Sequence, residues 1–281
     1  MSLIDKNLPY YHIIDLPDGS TTPGRVDRRK EGEYLGLKGK QCLAGKRVLD
    51  VGALDGVLSF WAEKSGASDV LVIDVEDIEH YDWGYSGPPS KMRGKGAIKN
   101  KVFEHLKQVL DSKVQREGKT VYDLSPEIDG YFDLIFFYGV LYHLRHPLLA
   151  FDRLREVCQG AIAVETHVCN VDPQLPASLF YLDDVLKNAI TNWHGPTEAC
   201  VVHWMKNAGF ERVFVEKKQR IKGRQRFIGL ISEKVDFCFS SFPSLDNFRE
   251  CDTNYFKASR KAIKHYLSLG SFDQNPWFQD I

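Results

Sequence analysis

The chain has 281 residues, 43% apolar and 12% aromatic, enough for a substantial core and for one large domain or one domain with an extension. Its formal net charge is −1, so no global field draws it to nucleic acid or to a membrane. Six cysteines (Cys42, Cys158, Cys169, Cys200, Cys238, Cys251) include no CxxC pair, which argues against a zinc site or disulfide framework and suits a reducing cytosol.

Residues 1 to 46 are irregular, with turn signals at PDGS and TTPG and a charged patch, RVDRRKEGE. They read as an arm or cap across the carboxyl edge of a sheet. The stretch contains no signal-peptide h-region, and no apolar run in the chain is long enough to cross a bilayer. A cytoplasmic protein without membrane partners is expected.

Lys46 to Asp77, KRVLDVGALDGVLSFWAEKSGASDVLVIDVED, is the most informative stretch. A short apolar strand (RVLDVG), a glycine turn (GALDG), an apolar-faced helix (VLSFWAEK) and a second strand ending in acid form the nucleotide end of a doubly wound α/β sheet. Gly52 and Gly56 let the backbone turn sharply and approach a ligand at a helix N-terminus. Asp74 lies 24 residues beyond Asp50, near the spacing of a carboxylate that grips ribose hydroxyls.

The glycine spacing selects among nucleotides. A dinucleotide loop needs glycine at its first, third and sixth positions; here these are Gly52, Leu54 and Val57. Asp50 and Asp55 would also repel a pyrophosphate. S-adenosylmethionine, with an ammonium, a sulfonium and a ribose but no phosphate, suits Asp50, Asp55 and Asp74. The plainer alternative is a structural βαβ turn with no ligand.

Residues 78 to 98 form an insertion rich in Gly, Pro, aromatic and basic residues, either a mobile loop near a ligand or a plain surface loop. NKVFEHLKQVLDSKV carries the apolar period of an amphipathic helix, and KTVYDL reads as a third strand. FDLIFFYGV is an apolar run expected of a strand buried on both faces. It ends at Gly139, and LLAFDRLREV resumes a helical period. Between them VLYHLRHP sits where open α/β sheets hold ligands. AIAVETHV is a fifth strand, ending at Glu165 and Thr166. PTEACVVHWMKNAGF is a helix stopped by Gly209, and ERVFVEKK and RFIGLISEK are two strands joined at Lys222-Gly223. The segment from 47 to 234 is thus one α/β domain. Residues 235 to 281 read as a helical extension, with NYFKASRKAIKHYLSL as one amphipathic helix that caps the fold or makes a subunit contact in a homo-oligomer.

These residues resemble class I S-adenosylmethionine-dependent methyltransferases, and more narrowly the tRNA wobble-uridine methyltransferase and carboxymethyltransferase family. The resemblance rests on VLDVGALDG, on YDLSPEIDGYFDLIFFYGVLYHLRHPLLAFDRL, on the VET strand end and on PTEACVVHWMKNAGF, over roughly residues 40 to 232; GVLYHLRHPL is its most specific part. It implies a mostly parallel seven-stranded sheet with a terminal antiparallel strand. Asp50, Gly52 and Gly56 would form the donor loop, Asp74 would hold the ribose, and Asp123 with Leu124 would contact adenine; Asp55 in the loop and Gly139 at the strand end join them as donor-site candidates from their position. The carboxymethyl branch uses carboxy-S-adenosylmethionine and grips its extra carboxylate with a Lys, a Tyr and an Arg; the matches are Lys6, Tyr142 and Arg226. Leu54 in the loop and the C-terminal tail depart from the family pattern.

Transfer from a sulfonium is an in-line displacement, so alignment supplies much of the rate, and an oxygen acceptor must also lose its proton. His143 is the first candidate for that base; the alternative is that it satisfies a backbone carbonyl. Tyr142 orients donor or acceptor, or packs. Glu165 receives a proton or binds a substrate hydroxyl, or is a solvated strand-end acid. His146 reads as a structural residue before Pro147, and no metal is expected at this pair. In KKQRIKGRQR, residues 217 to 226, the cations at 218, 220, 222, 224 and 226 recur every second residue, as on one face of an extended chain. Such a face binds tRNA phosphates, a phosphorylated metabolite, or only water. The expected acceptor is a hydroxylated tRNA wobble uridine, with a small hydroxylated metabolite or sugar as the alternative. A cofactor-binding regulator without catalysis is the third reading.

Overall fold

The computed structural model describes residues 3–37, 39–76, 78–83, 87–88, 98–181, 186, 190–232 and 245–269. Eight strands form its central sheet: β1 (Arg47–Val51), β2 (Asp69–Asp74), β3 (Gln115–Gly118), β4 (Phe132–Tyr138), β5 (Cys158–His167), β6 (Arg212–Glu216), β7 (Arg224–Leu230) and β8 (Phe248–Glu250). Their order is β8-β6-β7-β5-β4-β1-β2-β3. Strands β3, β2, β1, β4 and β5 run parallel; β7 is antiparallel to β5 and β6, and β8 is antiparallel to β6. This is the doubly wound, mostly parallel sheet expected. The eighth strand, from the C-terminal segment, extends its edge.

The central strands are apolar on both faces because helices cover both. Leu49, Ile135, Phe137 and Ile162 meet α3 (Pro147–Val157) and α4 (Glu198–Asn207) on one side. Val48, Leu134, Phe136 and Ala163 meet α1 (Val57–Lys64), α2 (Ile98–Val109) and the N-terminal residues Tyr10, Ile14, Leu35 and Leu37 on the other. Thr197 caps α4 by accepting the Cys200 N–H at 3.1 Å. The C-terminal helix, α5 (Thr253–Leu269), follows β8, and Tyr255 and Phe256 pack against the α3–α4 side.

One element differs from the sequence reading. The third strand is the polar QREG rather than KTVYDL. As a sheet edge it faces water and needs no apolar pattern, whereas Val121 and Leu124 are buried beside a turn of 3₁₀-helix at Val121–Asp123. In the basic run, Arg224 and Arg226 share a face of β7, while the cations at 217 to 222 stand exposed in the connecting turn. Much of the 78–98 insertion, the start of the C-terminal segment at 233–244 and the end at 270–281, with Cys238, lie outside the described residues. Among those described, no helix is long and apolar enough to cross a membrane.

Candidate active site

Sheet order reverses between β1 and β4, so their carboxyl ends open a crevice flanked by Gly52 and Gly139. Gly52 has φ of 70° and Gly139 of 74°, both in the left-handed region. A Cβ on Gly52 would stand 2.4 Å from Val140 Cγ2, so the side chain that follows Gly139 occupies the space over Gly52 and leaves no room for one there. Leu54 also has positive φ, 59°, and its N–H donates to Asp74 Oδ2 at 3.1 Å. Asp74 thereby braces the loop from the end of β2, while remaining partly exposed. Gly56 turns the chain at φ of 85° as expected, and packing also excludes a side chain there: a Cβ would lie 2.7 Å from Phe60 and 2.8 Å from Phe103.

The other two loop acids face inward. Asp50 is 3% exposed and accepts from Ser59 Oγ at 2.6 Å; burial is the main cause that pushes its carboxyl up to about 7. Asp55 is buried and accepts the N–H groups of Tyr11 at 3.0 Å and His12 at 2.7 Å, and it pairs with the His12 ring. The N-terminal arm is therefore fastened to the glycine loop. Asp74 is the loop acid that keeps access to a ligand.

Across the crevice, Asp123 closes a capping box with Thr120, accepting its N–H at 2.9 Å and its hydroxyl at 2.7 Å, and Leu124 is buried behind it. Beyond Gly139, a short turn, Leu141–His143, presents Tyr142 and His143 with ring centroids 4.1 Å apart. His143 Nδ1 lies 2.9 Å from the Thr191 carbonyl oxygen. That contact fixes Nδ1 as the protonated nitrogen of the neutral ring and leaves the lone pair on Nε2. Both readings of His143 are thus compatible: the carbonyl bond orients a ring able to accept a proton. His146 stands at the start of α3, its ring edge-on to Tyr122 at 6.0 Å.

Glu165 and Arg226 face each other across β5 and β7. Glu165 is no solvated acid: it is fully buried, with Oε2 at 2.6 Å from Arg28 Nη1 and 3.4 Å from Arg226 Nη2, and Oε1 at 2.6 Å from Arg224 Nη2. Burial raises its pKa, but Arg28, then Arg224 and Arg226, outweigh burial and hold the carboxyl down to about 2. Arg226 is 2% exposed and also binds Glu31 at 2.6 Å and Glu216 at 3.2 Å. The residue beside Tyr142 is instead Arg224, whose Nη1 donates to the Tyr142 hydroxyl at 3.2 Å. A Cβ on Gly139 would lie 3.3 Å from Arg224 Nη2. Lys6 lies exposed in a turn closed by Asp5.

The sequence reading therefore brings together Gly52, Gly139, Asp74, Tyr142 and His143 at one sheet edge. It missed Arg28 and Arg224. The parity of RQR, with Arg224 and Arg226 on one face and Arg224 nearer the crevice end, was the available signal for Arg224; nothing local marks Arg28. Among the described residues, no group of three or more His, Cys, Asp or Glu side chains is arranged to hold a metal ion.

Comparison with known proteins agrees with this geometry. A family profile described as a methyltransferase domain matches residues 27–215. The chain is 36% identical over 90 residues to the tRNA U34 carboxymethyltransferase of Syntrophotalea carbinolica, covering 31% of this chain and 27% of that protein. It is 27% identical over 170 residues to the protein of the same name from Pseudomonas paraeruginosa, covering 60% of this chain and 46% of the relative. The chain thus matches less than half the length of these relatives. Among solved structures, the N-terminal domain of EvdMO1 with SAH bound superposes with a TM-score of 0.56 at 16% identity, over 79% of this chain and 91% of that one. At that identity the likeness concerns the fold alone.

Proposed function

Starting from a chain that belongs to the methyltransferase-domain family, we propose that it is an S-adenosylmethionine-dependent methyltransferase acting on a hydroxyl, with a modified wobble uridine of tRNA as acceptor. The observation that carries the reading is the switch point between β1 and β4, where Gly52 and Gly139 both turn the chain at positive φ and the Asp74 carboxylate stands at the rim. This donor set fits a cationic nucleoside and lacks the glycine spacing that pyrophosphate requires. S-adenosylmethionine supplies the electrophilic methyl group. Asp74 would hold the ribose hydroxyls, Asp123 and Leu124 would border the adenine, and Asp50 and Asp55 act from behind the loop by fixing its shape. His143 Nε2 would take the acceptor's proton, and Tyr142 would align the reacting groups. The relatives' names support the tRNA acceptor.

Transfer of a carboxymethyl group from carboxy-S-adenosylmethionine is the second reading, favoured by the Arg224–Tyr142 contact next to Gly139. A guanidinium and a phenol hydroxyl form a donor pair for a carboxylate. In this role Arg224, held by Glu165 through Nε and Nη2 but with Nη1 on the Tyr142 hydroxyl, replaces Arg226, which is 2% exposed and bound to Glu31, Glu165 and Glu216.

Mass spectrometry of the small molecule that co-purifies with the protein, with added donors as competitors, tests both. S-Adenosylmethionine or its demethylated product supports methyl transfer, and the carboxylated donor supports the second reading. Binding of neither overturns the assignment of the glycine loop.

A further inference from the structure

The hairpin formed by Ser178–Phe180 and His194–Pro196 carries apolar side chains into solvent beside the Tyr142–His143 turn. Leu179 is 45% and Phe180 59% exposed. Other apolar side chains are exposed elsewhere, Ile128 and Tyr131 among them, but here an exposed ring adjoins further aromatic rings beside the candidate reacting centre. The Phe180 ring lies 5.9 Å from Trp193 at a tilt of 34°. Trp193 is held rigidly: its backbone N–H donates to the Tyr142 carbonyl at 2.8 Å and its indole N–H to the Asp82 carbonyl at 2.8 Å. On the other side Tyr181 meets His167 Nε2 at 2.8 Å, and His167 stands edge-on to Tyr142 at 6.2 Å. An aromatic strip thus runs from the candidate reacting centre outward to Phe180.

Cations border the strip on both sides. The Arg145 guanidinium lies 5.4 Å over Trp193. Opposite, the exposed turn bearing Lys217, Lys218, Arg220 and Lys222 reaches the strip through Gly223, whose carbonyl oxygen is 3.1 Å from His167 Nδ1. A purely apolar protein partner would not call for this border. Flat π-faces flanked by ammonium and guanidinium groups match unstacked nucleobases and their phosphates.

We propose that this hairpin is a stacking platform for single-stranded RNA: Phe180 and Trp193 receive bases neighbouring the modified nucleotide, while Arg145 and the lysine turn take the backbone phosphates. The proposal rests on the tRNA reading above and adds the surface that recognises the loop. It also explains how a chain of net charge −1 could bind RNA, by gathering its cations at one mouth.

The test is fluorescence anisotropy of the full chain with two labelled RNAs, a synthetic tRNA anticodon stem–loop and a blunt, fully paired duplex, with donor affinity measured separately by calorimetry. The wild-type chain should prefer the stem–loop. Phe180→Ala should weaken stem–loop binding about tenfold, Phe180→Trp should restore it, and donor affinity should not change. Replacing Lys218 and Lys222 with alanine should flatten the salt dependence of binding. Wild-type affinity in Phe180→Ala, or a preference for the duplex, overturns the platform and leaves the tRNA reading standing. Failure of the wild-type chain to bind either RNA while it methylates a small hydroxylated compound overturns both.

Discussion

Arg224 Nε and Nη2 converge on a single oxygen of Glu165, at 2.7 and 2.6 Å, at the carboxyl end of β5. The second oxygen faces Arg28 and Arg226, so one buried carboxylate anchors three arginines from the N-terminal arm and β7. Removing one member of a buried ionic group leaves its partners' charges uncompensated. Glu165→Gln should therefore cost about 3–5 kcal/mol of stability, read by urea denaturation. The same group sets an acid limb. Its pKa is about 2 in the folded chain against an ordinary 4.5. Its contribution is fully present above pH 4.5 and is lost as pH falls through about 2. Stability measured between these values should fall more steeply in the wild type than in Glu165→Gln.

Asp50 carries the opposite sign. Burial lifts its carboxyl from 3.8 to about 7, so the folded chain binds a proton that the unfolded chain has released. Stability from this group is present at low pH and declines as pH rises from about 4 to 7, by roughly 4 kcal/mol in all. Asp50→Asn keeps an acceptor for Ser59 and removes the titration. Its stability relative to wild type should rise between about pH 4 and pH 7 and level off above; a constant difference across that range would show that Asp50 is ionised throughout.

Gly52→Ala should damage the crevice in two separable ways. The positive φ costs about 1 kcal/mol for a side chain with Cβ, and the new methyl meets Val140 Cγ2. Val140→Ala in the same chain relieves the contact but not the backbone strain. The double variant should thus lose less stability than the sum of the two single variants, and thermal denaturation of all four proteins gives the coupling directly.

Legibility of the fold in the sequence follows from how local each signal is. FDLIFFY could be read as a doubly buried strand because both its faces meet helices, and the glycine turn because a sharp left-handed bend leaves few residue choices. The polar QREG strand gave no apolar pattern because it lies at an edge. The Glu165 cluster was hidden for another reason: Arg28 reaches it from far along the chain, and only the β5–β7 register shows which arginines oppose the acid. Asp55 reads as a ligand residue from sequence because the arm that covers it, Tyr11 and His12, lies 44 and 43 positions away.

Asp74 offers the cleanest test of donor binding, since it is partly exposed and its structural contacts are the N–H groups of Leu54 and Val75. Hydrogen bonds to a carboxylate contribute about 1.5–3 kcal/mol each. Asp74→Ala should weaken S-adenosylhomocysteine binding by about one to two orders of magnitude in calorimetry and lower stability by about 1–3 kcal/mol through the lost Leu54 contact. An unchanged affinity would remove Asp74 from the donor site.

His143 separates catalysis from binding. Its Nδ1 is engaged with the Thr191 carbonyl, so the proposed proton transfer falls to Nε2. A general base contributes about 10²–10⁴-fold to the rate. His143→Ala should therefore lower kcat by that order with donor affinity intact. His143→Asn, which can keep a donor for the carbonyl but has no basic nitrogen, should retain the fold and remain slow. Recovery of turnover in His143→Asn would assign the residue to positioning alone, and loss of donor affinity in both variants would place its effect on the crevice rather than on the proton.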